Sequence, residues 1–479
     1  MASIGFRFAV LAIMFCEFFG NTGRIFEVDA KSFFNGYRSL RQFVDRDGSD
    51  VGEPLILTSY IESGKIDEGR AAAKVPPFAG NVESFAGYLT VNKTYNSNLF
   101  FWFFPGEFAA SDNAPVALWL QGGPGATSLF GLFEEHGPYV INRKGEPKLR
   151  KYPWTQKFAM LYIDNPVGTG FSFTDDDRGY STDQVQVGDN LYTALYQFFQ
   201  LFPELQERDF YVTGESYAGK YVPAAAYAIH TRNPAAELKI NLKGLAIGNG
   251  LCDPEHMVGH YGDYLNQLGL LDANALEDFR KVQDAGIDYI RQGKWGEASD
   301  TFDKLINGDF DSHSLFFNDS GFTFYFNYLH DSTPNEPDFS AFVQSNPVRK
   351  GLHVGNRTFN AGDKVERFLK DDLMKTVKPW VEELLAHYRV LIYNGQLDII
   401  VAYPLTIGFL KALDFDAAQE YAVAPRHIWK VGNNIAGYCK SAGNLTEVLV
   451  RNAGHMVPGD QPIWALDMMS RFSRGKRFF

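Results

Sequence analysis

Phe210-Tyr-Val-Thr-Gly-Glu-Ser-Tyr-Ala-Gly-Lys-Tyr221 is the stretch from which the fold can be predicted. Its apolar start, Phe210 to Val212, predicts a short buried strand, and the alanine-rich run from Tyr221 to His230 predicts a helix. Small residues surround Ser216 in the turn between them, with Ala218 where glycine is usual. This is the layout of a nucleophile elbow, although an ordinary surface turn could share the pattern.

Strand-like and helix-like segments alternate around this turn. Buried strands are predicted at residues 85–91, 99–104, 115–120, 158–163, 242–248, 390–393 and 447–450, with helices at 182–202 and 462–472. Such alternation predicts an α/β fold with a mainly parallel central sheet, spanning residues 85–479. From about residue 253 to 347, charged helical segments and an aromatic patch replace the pattern, so we predict an inserted helical cap there.

The N-terminus predicts export. Arg7 precedes an apolar run, Phe8–Phe15, that is too short to span a bilayer, so residues 1–23 resemble a secretory signal. Small residues leave the cleavage point open between residues 20 and 30, and a buried helix is the alternative. Residues 24–84 are polar and mixed, which predicts an N-terminal arm or propeptide-like segment. No later stretch has the length and hydrophobicity of a membrane span.

Composition narrows the class of protein. The 479 residues are 45% hydrophobic and 21% charged, which predicts a folded globular chain. A net charge of −12 argues against nucleic-acid binding and suits a compartment of low pH. Four glycosylation sequons support a glycoprotein that is secreted or delivered to a lysosome or similar acidic vesicle. The sequons are at Asn92, Asn318, Asn356 and Asn444.

Three cysteines are too few for a disulfide scaffold. Cys16 would leave with the signal, and Cys252 and Cys439 could form one bridge in an oxidising compartment. The sequence alone does not show that these two meet. Two cysteines do not make a metal site, and we expect neither a metal nor a cofactor.

A serine nucleophile needs a base and a group that orients the base. Asp398 and His455 each follow a predicted strand, 390–393 and 447–450, and so lie at the same edge of the sheet as Ser216. Their order, Ser then acid then His, is that of α/β-hydrolase chains. We therefore predict a catalytic triad. Taken singly, the histidine could be a packed loop residue and the aspartate a turn residue.

Acyl transfer also needs donors for a developing oxyanion. The backbone N–H of Tyr217, directly after the serine, is one candidate. The glycine-rich loop Gln121–Gly125 follows the predicted strand 115–120, and we assign its Gly123 as the second. A plain Gly/Pro turn is the alternative for this loop.

Four blocks resemble the signature motifs of the serine carboxypeptidases. They are Trp119-Leu-Gln-Gly-Gly-Pro-Gly125, Gly214-Glu-Ser-Tyr-Ala-Gly-Lys-Tyr221, Asn394-Gly-Gln-Leu-Asp398 and Gly454-His-Met-Val-Pro458. The resemblance runs from about Phe85 to the C-terminus and implies an α/β-hydrolase fold with a helical insertion. Three further blocks are most similar to the vitellogenic-like branch: residues 132–139, 162–173 and 391–401. Ala218 is a variation that the family itself uses.

The resemblance implies that single residues are removed from the C-termini of peptides, so peptides with a free C-terminus are the expected partners. In the family, the position of Glu215 binds the substrate carboxylate with help from a second glutamate, which Glu135 matches. Gln121 occupies the position of a family asparagine that serves the same task. Because neighbouring carboxyl groups repel, their pKa values rise and a protonated glutamate can donate a hydrogen bond. This implies an acidic working range.

The chain departs from the family at the rim of this site. The loop continues as Gly125-Ala-Thr-Ser128, without the cysteine that the family often has there. Glu134 replaces an apolar residue of the leaving-group pocket in some members. We assign Trp119, Glu134 and Met456 to the pocket, with ordinary core packing as the alternative for Met456.

Two rival functions stay open at this point. An acyltransferase on the same scaffold would use the same triad and oxyanion donors. A catalytically silent binding protein belongs to another class, although the complete set of Ser216, Asp398 and His455 argues against it. A lipase is less favoured because Glu215 suits a substrate that carries a carboxylate. The oligomeric state cannot be predicted.

Overall fold

An eleven-stranded sheet organises the protein, in the order β1-β2-β3-β7-β4-β8-β9-β10-β13-β12-β11, and β5 and β6 form a separate hairpin. The strands are β1 (Lys74–Val75), β2 (Ser84–Asn92), β3 (Ser97–Phe104), β4 (Val116–Leu120), β5 (Tyr139–Ile141), β6 (Pro147–Leu149), β7 (Ala159–Ile163), β8 (Phe210–Glu215), β9 (Leu242–Gly248), β10 (Arg389–Gly395), β11 (His427–Val431), β12 (Asn434–Ala442) and β13 (Leu445–Val450).

The structure is a computed structural model and describes residues 50–106, 114–308, 313–334 and 338–479. The predicted signal, Cys16 and the start of the predicted arm lie outside the described residues.

Helices cover the sheet and fill the insertion. They are α1 (Thr58–Glu62), α2 (Ile66–Ala72), α3 (Gln184–Leu201), α4 (Ala218–Arg232), α5 (Pro254–Met257), α6 (Tyr261–Gln267), α7 (Ala273–Arg291), α8 (Trp295–Phe302), α9 (Leu315–Ser320), α10 (Phe339–Val343), α11 (Asn346–Gly351), α12 (Asp363–Leu369), α13 (Lys378–Leu385), α14 (Tyr403–Ala412), α15 (Ala418–Val423), α16 (Val457–Asp460) and α17 (Pro462–Ser473). Within the described ranges, no helix has both the length and the hydrophobicity needed to cross a membrane.

The centre of the sheet is parallel, from β7 through β4, β8, β9 and β10 to β13. Its strands are almost continuous apolar runs because parallel strands are covered on both faces. Successive side chains of β4 divide between two cores: Leu118 packs with the helical face that holds Val187 and Val222, and Trp119 packs with the opposite face. The predicted α/β fold is thus confirmed.

The two edges of the sheet are antiparallel, and the strands β11 and β12 were not predicted. Their side chains alternate between buried and exposed, so they lack the continuous apolar runs of the centre. Two-residue turns join them: Gly432-Asn433 links β11 to β12, and Gly443-Asn444 links β12 to β13. Glycine followed by asparagine is a hairpin signal, which could have revealed both strands.

The described part of the predicted arm packs on the sheet. Leu57 and Ala73 are fully buried, the Leu57 N–H donates to the Tyr88 carbonyl at 2.9 Å, and β1 pairs with β2. Residues 55–75 therefore add an edge to the same fold and do not stand apart from it.

Helices occupy the described chain between β9 and β10. The predicted cap, about residues 253–347, covers only part of them, because α12 and α13 continue the helical segment to Leu385. The aromatic patch Phe322–Tyr328 has neither helix nor strand structure. Its backbone instead bonds to the loops after β10 and β13, which places this part of the insertion beside the ends of these two strands.

Candidate active site

The turn between β8 and α4 holds Ser216 in a left-handed backbone conformation, with φ of 65°. Only small neighbours fit this turn. A Cβ at Gly214 would lie 2.6 Å from the Leu120 carbonyl oxygen, and a Cβ at Gly219 would lie 2.6 Å from the Leu251 nitrogen. Such strain at a serine is typical of a nucleophile elbow and persists because the surroundings fix the backbone.

His455 and Asp398 form a buried hydrogen-bonded pair. Nδ1 of His455 lies 2.8 Å from Oδ2 of Asp398, and neither side chain is exposed. An aspartate partner places the imidazole proton on Nδ1, which leaves the lone pair on Nε2. In the described part of the chain, Nε2 makes no hydrogen bond. The pair has the tautomer that a general base requires.

The sheet brings the serine to the same edge. Ser216 follows β8, Asp398 follows β10 and His455 follows β13, and these parallel strands are neighbours through β9. The last two loops are in close contact, since a Cβ at Gly395 would lie 1.8 Å from the Gly454 carbonyl oxygen. The structure therefore places all three predicted residues in adjoining loops.

Asn249, which the sequence analysis did not identify, holds Asp398, the predicted acid, in place. It follows β9 with φ of 44°, and its Nδ2 donates to Oδ2 of Asp398 at 2.7 Å. Its Oδ1 accepts from the Gly395 N–H at 3.2 Å. A signal was present in the sequence, because Gly248-Asn-Gly250 is a polar turn directly after a buried strand of the predicted sheet.

The aromatic patch of the insertion fixes the base. The Phe326 ring stacks on the His455 imidazole at 4.8 Å, and its carbonyl accepts from the His455 N–H at 2.7 Å. The Tyr325 carbonyl accepts from the backbone N–H groups of Ile399 and Ile400, beside the acid. The insertion therefore supports both the base and the acid, which aromatic content alone did not predict.

The glycine-rich loop after β4 lies directly against the elbow. A Cβ at Gly122 would be 2.6 Å from the Tyr217 nitrogen and 2.6 Å from the Ser216 Cβ. Gly123, the next residue, has φ of 108°, which favours glycine. The loops of both predicted oxyanion donors, Gly123 and Tyr217, are therefore in contact at the nucleophile.

A carboxyl pair is buried beside the serine. Glu215 and Glu135 are fully buried and interact directly, and Gln121 Nε2 donates to Glu215 Oε1 at 3.0 Å. Burial raises the pKa of Glu135 to about 7, and burial with the charge of Glu135 raises the pKa of Glu215 well above its ordinary range. Two adjacent carboxylates repel, so the pair retains a proton at neutral pH.

Trp119 supports this pair of carboxyl groups through Gln121. Its Nε1 donates to Gln121 Oε1 at 2.8 Å, its side chain is fully buried, and its ring contacts His136 at 4.2 Å. Burial lowers the pKa of His136 well below its ordinary range, so this ring is neutral. The indole thus orients the Gln121 amide with its N–H groups toward Glu215.

The other two predicted pocket residues lie near each other. Glu134 belongs to a π-helical turn, Gly131–His136, and Met456 precedes α16. A Cβ at Gly459 would lie 3.2 Å from the Glu134 carbonyl oxygen and 3.8 Å from the Met456 Cβ. Both side chains are partly exposed, as residues at the rim of a site would be.

A buried ion pair holds the first turn of α4, directly after the elbow. Lys220 Nζ lies 2.8 Å from Asp372 Oδ2, and both side chains are almost fully buried. The same oxygen accepts from the Tyr217 hydroxyl at 2.8 Å and from Gln184 Nε2 at 2.7 Å. Three donors converge on Asp372, so the residue that follows the nucleophile is held by both its backbone and its side chain.

A family model described as serine carboxypeptidase matches residues 76–475. The chain belongs to this family. It is a serine-type carboxypeptidase, a hydrolase of the α/β-hydrolase fold, as the motifs predicted.

Relatives support the assignment over almost the whole chain. A venom serine carboxypeptidase of Apis mellifera is 54% identical, with 94% of this chain and 97% of the relative covered. A probable serine carboxypeptidase of Homo sapiens, CPVL, is 51% identical, with coverage of 92% and 94%. A vitellogenic carboxypeptidase of Aedes aegypti is 48% identical, with coverage of 92% and 95%. The predicted resemblance to the vitellogenic-like branch is confirmed.

A solved structure shows the same fold. It is a prohormone-processing carboxypeptidase from Saccharomyces cerevisiae, with a TM-score of 0.71 and 24% sequence identity, and the match covers 85% of this chain and 96% of the other.

The suggested disulfide bridge does not form in this carboxypeptidase. Cys252 and Cys439 are both free and buried. Cys252 follows β9 and its Sγ contacts the Gly219 carbonyl at 3.3 Å, whereas Cys439 lies in β12. Three strand spacings separate β9 from β12, roughly 14 Å, and a disulfide cannot span that distance.

We predict that Asn249→Ala lowers kcat about tenfold to a hundredfold, with a smaller effect on KM. A hydrogen bond to an ionised group contributes roughly 1.5–3 kcal/mol, and here that bond fixes Asp398. Asn241→Ala, just before the other end of β9, is the matched control and should keep the wild-type kcat. An unchanged kcat in folded Asn249→Ala protein would show that other contacts suffice to hold Asp398.

Proposed function

We propose that Ser216, His455 and Asp398 carry out acyl-enzyme peptide hydrolysis. Nε2 of His455 takes the Ser216 proton as Oγ attacks the carbonyl carbon of the last peptide bond. The same imidazole then protonates the departing amino acid, and water attacks the acyl-enzyme in a second cycle. Asp398 keeps the proton on Nδ1 and stabilises the imidazolium that forms.

The oxyanion of each tetrahedral intermediate is proposed to bind the backbone N–H groups of Tyr217 and Gly123. The contact between their two loops supports this assignment. The anchoring of Tyr217 through Asp372 gives one donor a fixed position before substrate arrives. Donors of this kind stabilise the transition state because they need no reorganisation.

The buried carboxyl pair beside the nucleophile is the observation that carries the exopeptidase proposal. Two desolvated glutamates next to the serine are not needed for the hydrolysis of a bond in general. Because burial of carboxyl groups costs free energy, their presence indicates a specific binding role. We propose that Glu215, Glu135 and the Gln121 amide bind the C-terminal carboxylate of a peptide. Protonated Glu215 and Gln121 Nε2 supply donors, so the scissile bond is fixed one residue from the chain end.

A working range on the acidic side of neutrality follows from this arrangement. Below pH 7 the pair keeps its protons and can donate to the substrate carboxylate. As the pH rises through about 7, Glu135 loses its proton and the pair becomes negative. A negative pair repels the substrate carboxylate, so affinity falls with rising pH.

We predict that KM for a blocked dipeptide rises about tenfold or more between pH 5 and 8, since close like charges repel by a few kcal/mol. Glu135→Gln should flatten this rise because it removes the group that loses its proton near pH 7 and keeps a neutral donor. Glu146→Gln, at an exposed glutamate between β5 and β6, should retain the wild-type profile, and a C-terminally amidated peptide should show no such dependence. An identical profile in Glu135→Gln would exclude the carboxyl-pair mechanism.

The triad is tested with a panel of blocked dipeptides from pH 4 to 8. Wild-type protein should release the C-terminal amino acid and react with a fluorophosphonate probe. Ser216→Ala should lose the label and about a millionfold in kcat. Acyl transfer to an added alcohol in place of amino-acid release would favour the acyltransferase. Folded wild-type protein that takes no label would favour a silent binding protein.

We also propose a place in the secretory pathway, with secretion or delivery to a lysosome-like vesicle. The predicted signal, the acidic working range and the four sequons support this. The sequons differ in surroundings: Asn318 and Asn356 are exposed, whereas Asn444 is half-buried and its Nδ2 donates to the Leu385 carbonyl at 2.9 Å.

Protein made in a glycosylating cell should therefore shrink on treatment with an N-glycosidase. Asn318→Gln and Asn356→Gln should each reduce the glycan mass by one chain. Asn444→Gln should leave the mass unchanged, because its side chain is half-buried as well as bonded to the Leu385 carbonyl, whereas Asn318 is exposed although its Nδ2 donates to the His313 carbonyl at 3.2 Å. Mass spectrometry of the intact protein checks all three, and absence of any glycan would contradict the proposed route.

A further inference from the structure

Two histidines and a glutamate cluster on the surface at the far end of the elbow helix. His230 lies in the last turn of α4, roughly 18 Å along its axis from Ala218. Glu383 lies in α13, and His387 follows it by one helical turn, since the His387 N–H donates to the Leu384 carbonyl. The cluster takes no part in the proposed peptide hydrolysis.

Its three side chains converge. Oε1 of Glu383 lies 3.7 Å from Nε2 of His230 and 3.7 Å from Nε2 of His387, and one ligand atom of each residue lies within 4.8 Å of the other two. Around tetrahedral zinc, ligand atoms at about 2.0–2.1 Å from the ion are roughly 3.3 Å apart. Small rotations of the side chains would close the remaining difference.

The Tyr388 hydroxyl orients one of the histidines. It lies 3.1 Å from Nδ1 of His230, the ring nitrogen that faces away from Glu383. When this hydroxyl accepts a hydrogen bond from Nδ1–H, the lone pair of the neutral imidazole is on Nε2, which faces the cluster. Histidines that bind metals have such a partner on their second nitrogen in almost every case, because it fixes both tautomer and ring orientation.

The two helices that carry the ligands are held together independently of any ion. Tyr227 of α4 stacks on Trp380 of α13, with ring centroids 5.4 Å apart and planes at 14°. These aromatic residues precede His230 and Glu383 by three positions, so they lie one turn earlier on the same faces. The ligand backbones are therefore positioned before a metal arrives, which lowers the entropic cost of binding.

We propose that His230, Glu383 and His387 form a binding site for a divalent transition-metal ion of the zinc type. Nε2 of each histidine and Oε1 of Glu383 are the protein ligands, and water takes the fourth position. Two imidazole nitrogens favour zinc, copper or nickel over calcium and magnesium, which prefer oxygen. The bound ion links α4 to α13 and stabilises the native state, because the unfolded chain does not assemble the three ligands.

The test is a zinc titration of full-length, tag-free protein by calorimetry at pH 7.5, where imidazole is mostly neutral. We expect one ion per chain and a rise in Tm on addition of zinc. His230→Gln, Glu383→Gln and His387→Gln should each weaken binding at least tenfold, and Tyr388→Phe about tenfold. His427→Gln removes a histidine from β11 and should bind as the wild type does. Cobalt should give the visible absorption bands of a tetrahedral site.

Far-UV circular dichroism and Tm without added metal show whether each variant is folded, and fluorophosphonate labelling of the ligand variants should match that of the wild type, since the cluster lies outside the proposed catalytic residues. Folded wild-type protein that binds no zinc would overturn the proposal, and the cluster would then be only a set of imidazole–carboxylate ion pairs. Binding that persists at full strength in all three ligand variants would also overturn it, because the ion would then lie elsewhere.

Discussion

The left-handed backbone at Ser216 is the constraint on which the geometry of the candidate active site depends. A residue with a side chain in this conformation costs roughly 1–3 kcal/mol, so the turn survives only where its neighbours determine it. The Ser216 N–H donates to the Gly248 carbonyl at 3.0 Å, and the Ser216 carbonyl accepts from Gly219 and Leu251 at 2.8 and 3.0 Å. Strand β8 lies between β4 and β9 in the middle of the sheet and cannot shift to relieve the strain.

Close approach of backbone segments is also found around the turn. The loop after β4 approaches the elbow through Gly122, and the loops after β10 and β13 meet at Gly395 and Gly454. At each of these contacts a Cβ would overlap a neighbouring atom. Glycine at these positions therefore allows the backbones to approach one another closely.

The buried carboxyl groups near Tyr217 are stabilised in two different ways. At the hydroxyl of Tyr217, Asp372 is buried with a lysine and two neutral donors. These partners hold the pKa of Asp372 below its ordinary range despite burial. Next to Ser216, Glu215 and Glu135 are buried together, with Gln121 Nε2 as a neutral donor to Glu215. The first arrangement stabilises the fold, since breaking a buried pair typically costs 3–5 kcal/mol. In the second, burial and repulsion between the two carboxyl groups raise the pKa of Glu215, so the pair keeps a proton at neutral pH.

The sequence by itself determined the central strands of the sheet and the turn at Ser216, because apolar runs and small-residue turns are local features. It also indicated the carboxyl pair, although only through a family resemblance. Tertiary structure alone decided that Asn249 holds Asp398, that Phe326 covers His455 and that Cys252 lies too far from Cys439 to pair. Each of these facts depends on which distant segments become neighbours. In an α/β sheet these neighbours are set by strand order and by the path of the insertion. A local pattern such as Gly248-Asn-Gly250 can mark a loop after a strand, but it does not show which residue the loop contacts.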